Sequence, residues 1–173
     1  MFNSNGDVSD QIELLKGKFR ARIWTLRELR RHDFCEADLL KVYTTMIRPV
    51  IEYSSVIYHP MLTGEQTRDI EKIQSRALKN IYGHVYSYAR LLELSGLETL
   101  EERRRKACLK FALKTANNGR FSAWFPMRRK SKRRGDALEY AEQNARTDRR
   151  MNSPLYYYRR ILNDRVNYDV RKN

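Results

Sequence analysis

The sequence predicts an all-α fold, an irregular bundle of about five to seven helices with a basic loop and a C-terminal tail. Three observations carry this. Apolar residues recur at steps of three and four over long stretches, alternation at period two is nearly absent, and three capping pairs open successive apolar runs. With 173 residues, the chain has room for one compact core and a tail.

The first helix follows from Ile12, Leu15, Phe19, Ile23, Leu26 and Leu29, which fall on one helical face. Asp33 with Glu36 predicts a capping box for a second helix, with Leu39, Leu40, Tyr43, Met46, Ile47, Val50 and Ile51 facing inward and Pro49 kinking it. The β-branched cluster Val50 to Ile57 is the one place where a strand competes, and helix is favoured there. His59-Pro60 stops the chain, and Thr63 with Gln66 caps a helix carrying Ile70, Ile73, Ala77, Leu78 and Ile81 up to Gly83. A short helix from Tyr88 to Leu94 ends at Gly96. Thr99 with Glu102 opens another that runs to about Asn117, with Gly119 as its stop.

After Gly119 the periodicity is lost, so Arg120 to Gly135 reads as a loop or mobile hairpin arm. Ala137 to Arg150 suits a polar helix, which Ser153-Pro154 breaks. Leu155 to Leu162 suits a short amphipathic helix with Tyr158, Ile161 and Leu162 facing inward, and Asp164 to Asn173 reads as a frayed end. Two regions result: a helical core over 1–119, and a basic loop with short C-terminal helices over 120–173.

Charge is distributed unevenly between the two halves. The formal net charge is +14, yet residues 1–102 hold 14 basic and 15 acidic side chains while residues 103–173 hold 21 and 6. A merely solvated surface mixes both signs, whereas a phosphate-binding face is depleted of acids. Three clusters make up the excess. Arg103, Lys106, Lys110 and Lys114 are spaced by three and four, beside Arg104 and Arg105, and are read as an exposed stripe opposite Leu109 and Leu113. Arg128, Arg129, Lys130, Lys132, Arg133 and Arg134 form a loop cluster. Arg146, Arg149, Arg150, Arg159 and Arg160 form a terminal one, interleaved with Tyr156 and Tyr157. Arginine with nearby aromatics suits backbone neutralisation and stacking. Blander readings stand beside each: a nuclear-localisation signal for the loop run, a solvated face for the stripe, and packing for the tyrosines.

Several chemistries are excluded. No apolar run of about 18 residues appears, and Met1 to Asp10 is polar and acidic, so neither a spanning helix nor a secretory signal is expected, and the expected location is intracellular, in nucleus or cytoplasm. Cys35 and Cys108 share no zinc spacing with His32, His59 or His84, so both are read as buried or semi-buried thiols, and His84 as a helix-end cap. The chain has no Asp-Asp pair, phosphate-binding glycine loop, H-E-x-x-H or G-x-S-x-G. No catalytic residue, metal site, cofactor or small-molecule substrate is therefore expected. The expected partner is nucleic acid, RNA or DNA, held without sequence preference.

Four ordered motifs add a resemblance. Leu39-Leu40-Lys41-Val42-Tyr43-Thr44-Thr45-Met46-Ile47-Arg48-Pro49-Val50-Ile51-Glu52-Tyr53 resembles the segment after the polymerase palm in reverse transcriptases of jockey-like non-LTR retrotransposons. Ile70-Glu71-Lys72-Ile73-Gln74-Ser75-Arg76-Ala77-Leu78 resembles the family's next helix, Leu97 to Arg104 its L-x-x-L-x-x-R-R signature, and Asn152-Ser153-Pro154 with Tyr157 to Leu162 its usual ending. The likeness spans roughly Ile12 to Asn163, and Tyr58 departs from it where relatives carry Trp. It implies the thumb and C-terminal helical extension of an RNA-directed DNA polymerase, gripping the template–primer duplex. It also implies that the palm, with its aromatic-x-Asp-Asp motif, lies upstream of Met1 and is a potential docking partner.

Overall fold

The computed structural model describes residues 8–127, 140, 141, 147, 151 and 153–170, with side chains of the last helix described through Asp164. The fold is all-α. Its elements are α1 (Ser9–Arg31), α2 (Glu36–Val42), a π-helical segment (Tyr43–Ile47), α3 (Arg48–Glu52), α4 (Ser55–Tyr58), a 3-10 turn (His59–Met61), α5 (Gly64–Tyr82), α6 (Tyr88–Ser95), α7 (Leu100–Ala116), a 3-10 turn (Gly119–Trp124) and α8 (Pro154–Val170). The one β feature among the described residues is an isolated antiparallel bridge between Met127 and Tyr140.

Two compact units make up the chain: Met1–Ser55 with Leu62–Arg104, and Val56–Met61 with Arg105–Asn173. This partition differs from the 1–119 and 120–173 regions expected from the loss of periodicity after Gly119. The reason lies in α7, where Cys108 and Ala112 share an apolar cluster with Phe125, Tyr158 and Leu162, so most of the helix belongs with the C-terminal residues.

In the first unit, α1 buries Ile12, Leu15, Phe19, Ile23 and Leu26, the expected face, and α5 buries Ile70, Ile73, Ala77, Leu78 and Ile81. The two helices run parallel in constant register. Lys16 Nζ meets Asp69 Oδ2 at 3.0 Å and Arg27 Nε donates to Asn80 Oδ1 at 3.3 Å, both pairs 53 residues apart. The Thr63–Gln66 capping box is present in both directions, at 3.0 and 3.2 Å. Gly96 ends α6 at φ 63°, a left-handed conformation that glycine adopts without Cβ strain.

Several expectations are corrected. The Asp33–Glu36 box does not form: Cys35 occupies the N-cap with extended backbone, and Asp33 has φ 59°. Cys35 is exposed, with its thiol 3.1 Å from Asp38 Oδ2, while Cys108 is buried as expected. Met46 faces out, 62% exposed. The buried residues Leu39, Tyr43, Ile47 and Ile51 fall four apart, a spacing that drifts by about 40° per step on an α-helix. The wider π turn before Pro49 offsets that drift, and the Thr44 and Thr45 hydroxyls donate to the Lys41 carbonyl at 3.0 and 2.7 Å. His84 is exposed; Arg30 instead donates to the Asn80 and Ile81 carbonyls at the end of α5.

A chain of buried hydrogen bonds joins the first unit's helices. Tyr43 donates to Gln74 Oε1 (2.8 Å), and Gln74 Nε2 reaches the Tyr88 hydroxyl (3.1 Å) and the Glu98 carbonyl (2.9 Å). Tyr88 in turn donates to Glu71 (2.6 Å). Glu71 then accepts from the backbone amides of Leu100 (3.3 Å) and Glu101 (2.6 Å), while Thr99 Oγ1 accepts from Glu102 N (3.1 Å). A carboxylate from α5 thus satisfies orphan donors at the start of α7, where the helix dipole favours negative charge.

In the second unit, Asn163 pairs with Tyr140 through both amide atoms, at 3.0 and 3.1 Å. His59 Nε2 lies 3.1 Å from the Tyr157 hydroxyl, and Tyr158 donates to the Val56 carbonyl. The start of the expected loop is a 3-10 turn instead, capped by Asn118, whose Oδ1 accepts from Arg120 N at 3.1 Å. The final helix begins at Pro154, one residue before the expected start at Leu155, and continues to Val170, past the expected end at Leu162. The polar helix expected over 137–150 lies mainly outside the described residues.

Candidate nucleic-acid interface

Burial divides the candidate basic residues into two groups. On α7 the buried face is Arg104, Cys108, Ala112 and Thr115, and the opposite face presents Lys106, Lys110 and Lys114, all exposed. Steps of four on a helix rise about 6 Å each, so the three ammonium groups form a row about 12 Å long. Lys110 and Lys114 have no carboxylate within ion-pair distance among the described residues. Leu109 and Leu113 flank this row half-buried rather than lying opposite it, a correction to the expected wheel.

Three expected contacts leave the interface. Arg103 is committed to Glu52: its Nε donates to Oε1 and its Nη2 to Oε2 at 3.1 Å, and the carboxylate holds the guanidinium pKa up. Arg104 is 0% exposed, with Glu71 Oε1 at 3.8 Å as its counter-charge and, among the described residues, no hydrogen-bond partner on any guanidinium nitrogen. Arg159 is 7% exposed and donates to the Trp124 carbonyl at 2.8 Å. A run of arginines carries no local sign of which member turns inward; for Arg104 the helical period carries one, since it stands four residues before Cys108.

Arg160 stays available, exposed, with its guanidinium carbon 5.9 Å from the Tyr157 ring centroid. That geometry fits a cation–π contact and an arginine held near the surface. Tyr157 and Tyr158 serve packing, each within an aromatic cluster. Arg128, Arg129, Lys130, Lys132, Arg133, Arg134, Arg149 and Arg150 lie outside the described residues.

Among the described residues no three His, Cys, Asp or Glu side chains gather where a metal ion could be held. No helix among them is long and apolar enough to cross a membrane. Comparison of the chain with known protein families, with curated proteins and with solved structures finds no match.

Proposed function

We propose that the chain is a non-catalytic, sequence-tolerant nucleic-acid-binding module, equivalent to the thumb and helical extension of a retrotransposon RNA-directed DNA polymerase. It acts inside the cell, in nucleus or cytoplasm. The observation that carries the binding is the exposed Lys106, Lys110 and Lys114 row opposite the apolar face of α7, within a half that holds 21 basic and 6 acidic side chains. A row of like charges repels itself, and a polyphosphate backbone relieves that repulsion. The polymerase assignment rests on the four sequence motifs.

Titrating a labelled RNA–DNA duplex at several salt concentrations tests the binding. If about six to eight phosphates are neutralised, log K falls with log salt at a slope of about −5 to −7. Weak binding that ignores salt overturns the reading. Nucleotide incorporation by the purified chain with magnesium overturns its non-catalytic part.

A second reading, docking of a protein partner such as a polymerase palm, is favoured by a shallow depression of about 550 Å³ between α1 and α3. Leu14, Val50, Pro49 and Tyr53 line it, Tyr53 75% exposed, with Lys18 and Arg22 at the rim. Tyr53→Ser abolishing self-association or partner capture while sparing duplex binding would separate the two readings.

A further inference from the structure

The first half of the chain, near-neutral by count, carries a charged surface that the count conceals. Where α1 and α5 run parallel, two adjoining grooves of about 510 and 170 Å³ share Phe19, Arg20 and Arg76 in their walls. One rim presents Lys16, Arg20 and Arg27 from α1, the other Lys72, Arg76 and Lys79 from α5. Positions 16, 20 and 27, and 72, 76 and 79, are spaced by three, four or seven, so each set keeps to one helix face over as much as about 16 Å.

Of the acids on the same helices, Glu71 caps α7, Glu28 pairs with Arg31 at 2.6 Å, Glu65 sits in the first turn of α5, and Glu13 pairs with Lys16 at 2.7 Å. Asp69 is the one carboxylate in the groove walls, bound to Lys16 at 3.0 Å and Lys72 at 2.8 Å. Among the described residues no carboxylate lies within ion-pair distance of Arg20, Arg76 or Lys79. A solvated seam between two helices gains from opposite charges facing each other, as Lys16 and Asp69 do, but beyond that pair this seam places Arg20, Arg76 and Lys79 together instead.

We propose that the α1–α5 groove is a second phosphate-binding site, which holds the backbone of one single nucleic-acid strand. Parallel helices pack with axes about 8–10 Å apart, so the seam admits a row of phosphates and not a duplex. Its floor residues Phe19, Ile23 and Ile73 are buried, so no Phe, Tyr or Trp face in the groove walls is open for base stacking, and phosphate contacts dominate over base contacts. The groove and the α7 row share no residue, so substitutions test them separately.

The experiment is a salt titration of the full chain with a labelled single-stranded RNA of about 20 nucleotides. Arg20→Gln with Arg76→Gln and Lys79→Gln should weaken binding about tenfold or more and flatten the salt slope by about 2, at about 0.7 per lost phosphate contact. Asp69→Asn, which removes the groove's carboxylate, should tighten binding a few-fold. Unchanged affinity and slope in the triple variant overturn the proposal. If circular dichroism shows that variant unfolded, Asp69→Asn decides, and no tightening overturns the proposal. Lys110→Gln with Lys114→Gln weakening duplex binding while the groove variants leave the strand untouched sinks the groove alone; the reverse pattern sinks the α7 reading alone.

Discussion

Arg104 and Glu71 face each other at 3.8 Å inside the first unit, and the arginine has no solvent exposure. The distance is outside hydrogen-bond range, so the guanidinium carries the cost of burial with only a Coulomb interaction to offset it. Glu71, in contrast, makes three hydrogen bonds, to Tyr88 and the amides of Leu100 and Glu101. The two partners therefore respond differently to removal. Arg104→Met is expected to cost less than about 1–2 kcal/mol, because Glu71 keeps its three hydrogen bonds and its place at the α7 N-terminus while the unmet guanidinium is removed. Glu71→Ala should cost about 3–5 kcal/mol, because it uncaps α7 and leaves the Arg104 charge unpaired. Urea midpoints of the two variants check this, and equal losses would contradict it.

Arg159 and Arg160 are neighbours in sequence with opposite roles. Arg159 is buried and holds the Trp124 carbonyl, whereas Arg160 is exposed over Tyr157. Arg159→Ala should lose about 1–3 kcal/mol of stability, the cost of the lost hydrogen bond to the Trp124 carbonyl and of the packing of a buried side chain. Arg160→Ala should leave the thermal midpoint within about 1–2 °C and reduce the salt slope of duplex binding by about 1. A variant pair in which Arg160 governs folding and Arg159 governs binding would refute the assignment.

The helices were legible because the signals are local. The buried stripe of α1, the Thr63–Gln66 box and Gly96 in its left-handed cap all follow from spacings within a few residues. What escaped depends on partners distant in sequence. Glu52 claims Arg103 from 51 residues away, and Trp124 claims Arg159 from 35. The α1–α5 groove escaped for the same reason: a count over 102 residues cancels cations on one face against acids on another. Met46 was misplaced because no local spacing marks a π turn that re-phases the helix.

Alkaline pH probes the buried hydrogen-bond chain. Burial pushes the Tyr43, Tyr88 and Tyr158 hydroxyls well above the ordinary tyrosine range, with the Glu71 hydrogen bond adding to the effect at Tyr88. The unfolded chain releases these protons first. The stability they contribute is therefore complete below about pH 10 and is lost as pH rises above it. Absorbance titration near the phenolate band should show these tyrosines ionising only together with loss of helical circular dichroism. Smooth ionisation of all 11 tyrosines in a still-helical chain would rule this out.

Acid pH probes the groove. Hydrogen bonds from Lys72 and then Lys16 hold the Asp69 carboxyl down at about 2, below the ordinary aspartate range, so it remains a carboxylate in mild acid. Its contribution to stability is present above about pH 4 and is lost as the pH falls through about 2. The pair lies near the surface, where water and salt screen it, so the effect is small. Asp69→Asn should remove this segment of the acid melting curve and leave the curve above pH 4 with the same slope as the parent. The same substitution sets the groove's charge at neutral pH, so stability and strand affinity should move in opposite directions, slightly down and up. If both fall together, Asp69 supports the seam itself and is not a brake on its charge.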